Sequence, residues 1–563
     1  MENRRTYREF SEEKWEQVRT HPYFERVRTE ALEMGEKMLE SEPLPLRFSD
    51  FHKFVTEGSR KPWANRSGPY FRRISCLFFC YMLTKDEKYI EPLVDAMWQV
   101  CDMETWASNA HVKEEMSILE RRRFLELVSC GVGYKLAEIL HFVGDKFPEL
   151  AYRRIKEEIR FRIIDCYREK RGEKDYWWYT ASNNWSAVCI SMVVGTFFYL
   201  AEDEEIDAEL DRFLATAQCF IDGMPDDGCC LEGKSYWDYG FSHYCVFASF
   251  MKEYTKGKID LFANEKVKRI AGFQTRVAIN DTQCISFSDA GSTYSPSTWL
   301  THFIHSIYPD MPVPITKKPG YSPGWLQYAL WCDPDVEGTG IPPSSYIFEG
   351  AQWFLHIGEK YSIAAKAGFN HEPHNHNDIG SFIISKNGRI TFADPGGGEY
   401  VKTYFGAGRY THLVTSARGH SVPIINGMIQ CTGDEKSKVI TAKEDRFTFT
   451  AENGYPAEVR ETLSSFVRDF DCRPDALVLT DSFEFTEQPT SLVEQFVSLT
   501  PIEGENGRIV CGDTILTYNA ELYDMELGSE DFRRNNGTTE TLYWVRLSVK
   551  NPECKMHLEF TFE

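Results

Sequence analysis

The chain has 563 residues, of which 42% are hydrophobic and 14% aromatic, as is typical of folded globular proteins rather than disordered ones. Its formal net charge of −22 argues against a broad binding surface for nucleic acid or for an anionic membrane. The length predicts roughly two to four domains.

The ends and the cysteines indicate a reduced intracellular chain. The amino-terminal residues lack the apolar core of a signal peptide, and no run of about eighteen apolar residues suggests a membrane span. The sixteen cysteines show no zinc-finger spacing, and several, such as Cys76 and Cys80, lie in apolar runs. We expect a cytoplasmic protein with no membrane partner, and a homo-oligomer is compatible with the sequence.

The first half, from residue 8 to about 275, has the periodicity of amphipathic helices. Apolar residues recur every three or four positions, with a charged break at 85–88. Paired helices joined by short polar turns indicate an (α/α) toroid or solenoid of helical hairpins, without a fixed short repeat. Besides the helices on either side of that break, we predict helices over 118–142, 148–168, 183–201, 205–222, 236–255 and 260–276.

After about residue 280 the segments become short and alternating, and they are rich in β-branched and aromatic residues. The first of them is Cys284–Gly291, and Asn387-Gly388 predicts a tight hairpin turn. An antiparallel β-sandwich is therefore expected, which makes the fold class α+β and multidomain. The predicted ranges are 1–276 for the helical domain, 277–345 for a connector and domain interface, and 346–563 for the β-sandwich.

Histidine is concentrated between residues 371 and 426, although the whole chain has only fourteen. His374 and His376 are two apart on an extended segment and so project to the same side. Asp394 and His420 follow downstream. Such a cluster predicts a metal site or acid/base chemistry, and the alternative is a set of surface polar residues near turns.

The motif HNHNDIGSF, the later FADPG and the stretch YVKTYFGAGRYTHLVTSARGHSVPIING resemble the heparinase II/III-like polysaccharide lyases, as does the order of helical half and β half. The resemblance implies an N-terminal (α/α) toroid, a C-terminal antiparallel β-sandwich and cleavage of uronate glycosides by β-elimination. It covers most of the chain, and its motifs say little about which sugar is cleaved.

The resemblance also implies roles for individual residues. His374 resembles the family's catalytic histidine, and His376, Asp394 and His420 resemble its ligands for a mainly structural zinc ion near the active site. Asn183 and Asn184 resemble the asparagine element that contacts the uronate carboxylate, although Ser182 and Asn183 are also ordinary helix N-cap residues.

The tyrosines of LEGKSYWDYGFSHY resemble the family's catalytic tyrosine element, with Tyr236 as first choice and Tyr239 as an alternative. The division of acid and base roles between tyrosine and histidine stays open. Tyr404, Arg409 and Tyr410, between the metal ligands, are predicted to bind sugar, or else to lie at a domain interface.

The leading hypothesis is a carbon–oxygen lyase acting on acidic oligosaccharides, either heparin- or heparan-like glycosaminoglycans or alginate, to give unsaturated uronate products. A glycoside hydrolase would need two carboxylic acids across the cleft, for which Glu232 and Asp238 are candidates. A non-catalytic, zinc-stabilised sugar-binding protein is the third alternative. No nucleotide cofactor is expected, because the glycines of DPGGGEY form neither GxGxxG nor a Walker loop.

Overall fold

The structure is a computed structural model that describes residues 10–171, 176–340 and 344–563. The chain forms two compact units. The helical unit comprises Met1–Met224, Asp238–Ala271 and Pro296–Thr339, and the β unit comprises Pro225–Trp237, Gly272–Ser295 and Gly340–Glu563.

This division differs from the three consecutive ranges expected from the sequence. Pro225–Trp237 and Gly272–Ser295 belong to the β unit, and Pro296–Thr339, expected in the connector, belongs to the helical unit. The polar contacts of the first two segments explain their placement. The carboxylate of Asp227 accepts a hydrogen bond from the backbone N–H of Gly350 at 2.8 Å, and Ser288 Oγ donates to the carbonyl of Leu231 at 2.8 Å. The end of the predicted connector, residues 341–343, lies outside the described residues.

The helical segments agree with the predicted pattern, and further short helices occur where a connector was expected. A π-helical turn, Arg160–Ile164, lies between the eighth and ninth helices. The helices are α1 (Glu12–Thr20), α2 (Glu25–Glu40), α3 (Phe48–Glu57), α4 (Lys61–Thr84), α5 (Ile90–Asp102), α6 (Ile118–Arg122), α7 (Leu127–Val143), α8 (Glu149–Ile159), α9 (Asp165–Glu169), α10 (Asn184–Leu200), α11 (Asp203–Asp207), α12 (Leu210–Asp222), α13 (Lys234–Tyr254), α14 (Glu265–Ala271), α15 (Phe273–Arg276), α16 (Thr298–Ile307), α17 (Gln327–Leu330) and α18 (Ala457–Arg460).

Helix α10 is the central helix of the helical unit. Every residue in it except Trp185 is buried, and it packs against α7 and α12. Asn183 begins it as the N-cap, with its side chain accepting from the backbone N–H of Trp185 at 3.1 Å. A helix this apolar on all sides is expected in the interior of a large unit.

One segment, Leu127–Lys146, is long and apolar enough to cross a membrane by length and composition alone. Its most apolar window is 72% buried within the protein. A buried core helix meets the same criteria, so the segment is weak evidence for a membrane span. The sixteen cysteines are all free thiols.

The β unit contains three antiparallel sheets, with strand orders β1-β2-β3-β4-β5, β12-β13-β14-β17-β10-β9-β8-β7 and β15-β16-β11-β6. Buried phenylalanines from several strands pack together in one core, among them Phe382, Phe392 and Phe496. The strands are β1 (Tyr346–Phe348), β2 (Trp353–Ile357), β3 (Tyr361–Lys366), β4 (Phe382–Lys386), β5 (Arg389–Phe392), β6 (Ile424–Ile425), β7 (Val439–Lys443), β8 (Arg446–Thr450), β9 (Leu463–Cys472), β10 (Leu477–Phe485), β11 (Leu492–Ser498), β12 (Ile502–Glu505), β13 (Arg508–Cys511), β14 (Thr514–Tyr518), β15 (Tyr523–Arg533), β16 (Thr539–Val549) and β17 (Lys555–Phe562).

The predicted order of helical half and antiparallel β-sandwich is therefore confirmed, with one strand misassigned. Cys284–Gly291, read as a strand from its apolar alternation, makes only isolated bridges, such as Ala278 with Cys284. Its apolar side chains are buried, but the chain turns back at Asp289 instead of continuing along a sheet.

Candidate active site

The polar residues predicted for the site lie in loops of the β unit that come together near His376, which contacts Asp289 and groups with Asp394 and His420. The loop between β3 and β4 carries His374 and His376. Asp394 follows β5, and His420 follows four short 3-10 helices within residues 402–419. Each of these side chains makes a hydrogen bond to another residue of the β unit.

Asp289 lies at the centre of this site, and its buried carboxylate accepts hydrogen bonds from four side chains. His374 Nδ1 lies 2.5 Å from Oδ2, and His376 Nε2 lies 3.0 Å from Oδ1. The hydroxyl of Tyr404 donates to Oδ1 at 2.5 Å, and the Arg409 guanidinium donates to Oδ2 at 3.2 Å. Burial alone would raise the pKa of Asp289, but the two histidines and the arginine outweigh it and hold the pKa well below its usual range.

His374 is oriented by this carboxylate. An ionised carboxylate only accepts, so Nδ1 carries the proton and Nε2 keeps a free lone pair. The imidazole ring lies 4.0 Å from the Tyr236 ring and 5.7 Å from the Phe405 ring, measured between centroids. The backbone of His374 has φ 58, a left-handed conformation that costs free energy for a residue with a Cβ and is common at functional sites.

Tyr236, the first choice for the predicted catalytic tyrosine, lies beside His374. Its hydroxyl lies 2.7 Å from the hydroxyl of Tyr400, and burial, reinforced by Tyr400, raises its pKa. The phenol is therefore protonated at neutral pH. Glu232 is also buried here, and burial raises its pKa although its electrostatic interaction with His374 opposes that rise.

His376, Asp394 and His420 form a group that fits a metal ion. One ligand atom from each lies within 4.8 Å of the others, and all three residues are buried. His376 Nε2 is committed to Asp289, and His420 Nε2 donates to the carbonyl of Val414 at 2.9 Å. His376 Nδ1 therefore offers a lone pair on the other side of its ring, while His420 Nδ1 faces Asp394 Oδ2 at 3.0 Å.

The chemistry of these donors supports that fit. His376 Nδ1 is buried and has no hydrogen-bond partner among the described residues, an arrangement that costs free energy without a ligand. Two imidazoles and one carboxylate are a donor set that suits zinc. The residues present would thus hold such an ion, and the hydrogen bond that Asp289 accepts from Nε2 of His376 would orient that ligand.

Two buried side chains fix the loops that carry the ligands. Arg468 donates to the carbonyls of Gly380 and Ser421 at 2.8 and 2.7 Å, and it pairs with the buried carboxylate of Asp481. Gln430 accepts from the N–H of Ile379 at 2.9 Å and donates to its carbonyl at 2.7 Å. The loop after His376 and the residue after His420 are therefore held by the sandwich core.

Glycines allow the backbone around Asp289 to approach its neighbours closely. A Cβ at Gly396, which has φ +62, would collide with the carbonyl oxygen of Ala290. A Cβ at Gly233, which has φ +89, would lie 2.5 Å from the Cβ of Ala290. The glycine run of DPGGGEY thus accommodates the turn that presents Asp289.

Two of the three predicted sugar contacts are corrected by their burial. Tyr404 is completely buried, and its hydroxyl is used by Asp289. Arg409 is buried and donates to the carbonyls of Asn375 and Tyr404 as well as to Asp289. Tyr404 and Arg409 therefore stabilise the site through buried hydrogen bonds to Asp289. Tyr410 is half-buried, with its hydroxyl 3.4 Å from the Asn375 amide nitrogen, and its contact with sugar stays a prediction.

The remaining predicted residues belong to the helical unit. Asn183 is the N-cap of α10, and Asn184 is buried in its first turn. Tyr239 is 39% exposed, its ring meets the edge of His243 at 5.0 Å, and its carbonyl accepts from His243 Nδ1 at 2.7 Å. Burial lowers the pKa of His243 to about 3, so that imidazole is neutral. The catalytic roles of these asparagines and of Tyr239 stay predictions.

Solved structures with the same fold are polysaccharide lyases. A heparinase III structure is 13% identical, with a TM-score of 0.62 over 95% of this chain and 84% of its own. The heparan sulfate lyase of Pedobacter heparinus is 11% identical, with a TM-score of 0.59 over 98% and 92%. The chondroitin AC lyase of Streptomyces coelicolor, solved with chondroitin sulphate, is 8% identical, with a TM-score of 0.56 over 98% and 81%.

The chain has the fold of these lyases. The predicted resemblance is confirmed at the level of the fold, including a helical toroid followed by an antiparallel β-sandwich. Neither the protein-family profiles nor the curated proteins gave a match.

Sequence reasoning missed Asp289 and Tyr400, both of which contact the predicted catalytic pair. The available signal for Asp289 was an acidic residue in a turn, SDAG, directly after the apolar run CISF. Tyr400 follows the glycine run in GGGEYV, where an aromatic residue could have been read as part of the site. Neither position has a spacing motif that links it to His374.

Proposed function

We propose that the protein is a polysaccharide lyase that cleaves uronate-containing saccharides by β-elimination, with His374 as the base and Tyr236 as the acid. The proposal is supported by the close approach of these two rings, whose centroids are 4.0 Å apart, with the histidine oriented by Asp289 and the phenol protonated. The lyase fold supports the same reaction class.

In the proposed reaction, Nε2 of His374 is the atom that accepts a proton, because Nδ1 already donates to Asp289. Its Nε2 lone pair takes the proton from C5 of the uronate, the C–H electron pair forms the C4–C5 double bond, and the bond between C4 and O4 breaks. Tyr236 gives its proton to the departing O4, while Tyr400 lies within hydrogen-bond distance of the phenolic oxygen that becomes negative. The products are an unsaturated uronate and a shortened saccharide.

We further propose that Zn²⁺ occupies the group formed by His376, Asp394 and His420. When bound, the ion would supply a structural clamp between the loop after β3 and the segment that ends at His420. That clamp keeps His374, two residues before a ligand, in the position that Asp289 defines.

The substrate would be an acidic saccharide, either a heparin- or heparan-like glycosaminoglycan or alginate oligosaccharides, cleaved in the cytoplasm. Asn183 or Asn184 would hydrogen-bond the uronate carboxylate, whose charge increases as the C5 proton leaves. The basic run Arg121, Arg122 and Arg123 is paired with glutamates, so local donors rather than a basic surface would recognise the polyanion.

The test is incubation of the purified protein with defined heparan, chondroitin and alginate oligosaccharides, followed by the ultraviolet absorbance and mass of the products. An unsaturated product with no added water is expected for at least one substrate, and His374→Ala should abolish it. Saturated products carrying one added water would identify a hydrolase instead, and binding without turnover would identify a sugar-binding protein.

A hydrolase would need two carboxyl groups at the sugar. Glu232 and Asp289 come closest to that requirement, since one has a raised pKa and the other a lowered pKa. Asp289, however, is saturated by four side-chain donors and fully buried, so it is unable to reach water or sugar. This burial favours elimination over hydrolysis.

A further inference from the structure

The helical unit carries a second carboxylate–histidine pair, formed by His111 and Glu126. His111 Nδ1 lies 2.6 Å from Glu126 Oε2. The Glu126 side chain is fully buried, and its Oε1 accepts from the backbone N–H groups of Ser108, Val128 and Ser129. These contacts hold the carboxylate in place, and the Nδ1 of His111 faces it, so that Nε2 lies on the side of the ring away from Glu126.

The Nε2 atom of His111 is available to a ligand. The His111 side chain is partly exposed, and within the described ranges, 10–171, 176–340 and 344–563, no hydrogen bond to Nε2 is made. A histidine that serves only to satisfy a buried glutamate would not need its second nitrogen at the surface. The geometry therefore supplies a fixed, solvent-facing hydrogen-bonding atom.

Two indoles lie beside this imidazole, the half-buried Trp185 and the exposed Trp177. The ring of Trp185 is 4.9 Å from that of His111, and the ring of Trp177 is 4.7 Å from that of Trp185. Trp177 is 57% exposed, which is unusual for so large an apolar side chain and marks a binding surface when polar groups surround it. Asn183, whose side chain caps α10 at the N–H of Trp185, lies on the same helix start.

We propose that His111, Trp177 and Trp185 form a saccharide-binding subsite on the helical unit. The indole of Trp177 would pack against the apolar face of one pyranose ring, and Nε2 of His111 would accept a hydrogen bond from one of its hydroxyl groups. Indole is suited to this contact because it offers a large rigid apolar face at a small cost in side-chain entropy. Glu126 is a positioning residue that fixes the tautomer and direction of His111.

The inference deepens the proposed function, since the saccharide it binds is the substrate of the proposed lyase. Binding is separable from turnover when the measurements use protein that carries His374→Ala, a change in the β unit. Calorimetric titration of that full-length protein with the same defined hexasaccharides gives the reference affinity.

In that background, Trp177→Ala and His111→Ala should each weaken binding roughly five- to tenfold. Glu126→Gln should weaken saccharide binding less than His111→Ala does. Because Glu126 also caps α7, the comparison uses this variant only if its melting temperature equals that of the reference protein. Trp98→Ala is the matched control: Trp98 is a half-buried tryptophan on α5 that stacks with Arg154 at 3.8 Å, without a histidine beside it, and its removal should leave affinity unchanged.

Unchanged affinity in both Trp177→Ala and His111→Ala would overturn the subsite while leaving the lyase proposal intact. Absence of both saccharide binding and turnover in all tested substrates would overturn the proposed function and the subsite with it. Equal weakening by Trp98→Ala would show a general loss of structure rather than a specific contact, and would also overturn the subsite.

Discussion

The Nδ1 atom of His374 lies 2.5 Å from Oδ2 of Asp289, although the two residues are 85 positions apart in the chain. The same carboxylate accepts from His376 Nε2 through its other oxygen. One buried side chain therefore orients both the predicted base and a predicted metal ligand, so a change at Asp289 should affect catalysis and metal binding together.

Asp289→Asn should lower kcat by roughly 10²–10⁴-fold with little change in KM. The asparagine amide can donate to Nδ1 of His374, which would move the proton to Nε2 and remove the lone pair that takes the C5 proton. The same variant should bind zinc about 10–100-fold more weakly, because His376 loses a charged partner. Steady-state kinetics and metal titration measure the two effects.

Asp434→Asn is the matched control for this substitution. Asp434 is the partner of His371 in another histidine–aspartate contact of the β unit, but both side chains are largely exposed. Its effect on kcat and on metal affinity should be negligible. Full activity in Asp289→Asn would contradict the orienting role.

Substitution of a predicted zinc ligand should abolish zinc binding and lower the thermal stability of the β unit. His376→Ala is expected to reduce the zinc content from about one ion per chain to near zero and to lower the melting temperature by several degrees, since metal binding contributes to folding. Elemental analysis and thermal melting test this. His371→Ala, a nearby exposed histidine, should retain the metal, and a zinc-free native protein with full activity and an unchanged melting temperature would refute the clamp.

The fold was predictable where burial follows a simple period. Helix α10 is apolar throughout, and the hairpin of β4 and β5 follows from alternation and Asn387-Gly388. Strand β9 is harder to recognise in the sequence, because Arg468 occupies one of its buried positions, where the pattern calls for an apolar residue. Strand β15 lacks a clear apolar alternation because most of its residues are exposed.

The clustering of His376, Asp394 and His420 was predictable from motif and resemblance, but the central position of Asp289 was not. The spacing of His374 and His376 indicated that they face the same side, and both do reach Asp289. Asp289 itself comes from a different part of the chain, and no local period reveals which distant turn will meet a loop. Tyr404 was misread for the same reason: a segment of 3-10 turns has no period from which burial follows.

Glu372 should give the stability of the β unit a defined pH dependence. Burial raises its pKa to about 7, with Lys366 opposing the rise and Asp378 adding to it. Because the folded pKa exceeds the unfolded value, the folded state binds more protons between about pH 4.5 and 7, and stability falls as pH rises through that range. A rise from 4.5 to about 7 corresponds to roughly 3 kcal/mol.

Glu372→Gln removes this titration while keeping the side-chain volume. Its melting temperature should exceed that of the parent by several degrees at pH 8, and the difference should vanish near pH 5. Glu359→Gln, at an exposed glutamate of the same unit, should show no pH-dependent difference. A constant offset for Glu372→Gln across the range would mean that Glu372 is not the titrating group.

Tyr236→Phe should lower kcat by roughly 10²–10⁴-fold, because it removes the proton that O4 receives. Tyr239→Phe tests the alternative tyrosine and should change kcat by less than about tenfold. Kinetics on one oligosaccharide with both variants decides between them. The reverse ranking would assign the acid to Tyr239.

The preferred stereochemistry of the substrate should follow from the proximity of the His374 and Tyr236 rings. Their ring centroids are 4.0 Å apart, so base and acid approach a bound sugar from the same side. That arrangement favours removal of the C5 proton and O4 from one face of the ring, which 4-linked D-glucuronate and D-mannuronate allow. Their C5 epimers, L-iduronate and L-guluronate, place the two groups on opposite faces.

Saccharides cleaved at D-glucuronate or D-mannuronate should therefore have a kcat/KM at least about 100-fold higher than those cleaved at the C5 epimers. Misplacement of a reacting group by about 1 Å already lowers the rate by about that factor. The measurement is kcat/KM on pairs of defined oligosaccharides that differ only in the configuration at C5 of the cleaved residue. The epimer pair controls for charge, length and sulfation. Equal cleavage of both epimers would mean that the acid and the base do not act from one side, and that His374 and Tyr236 are not the pair that performs the elimination.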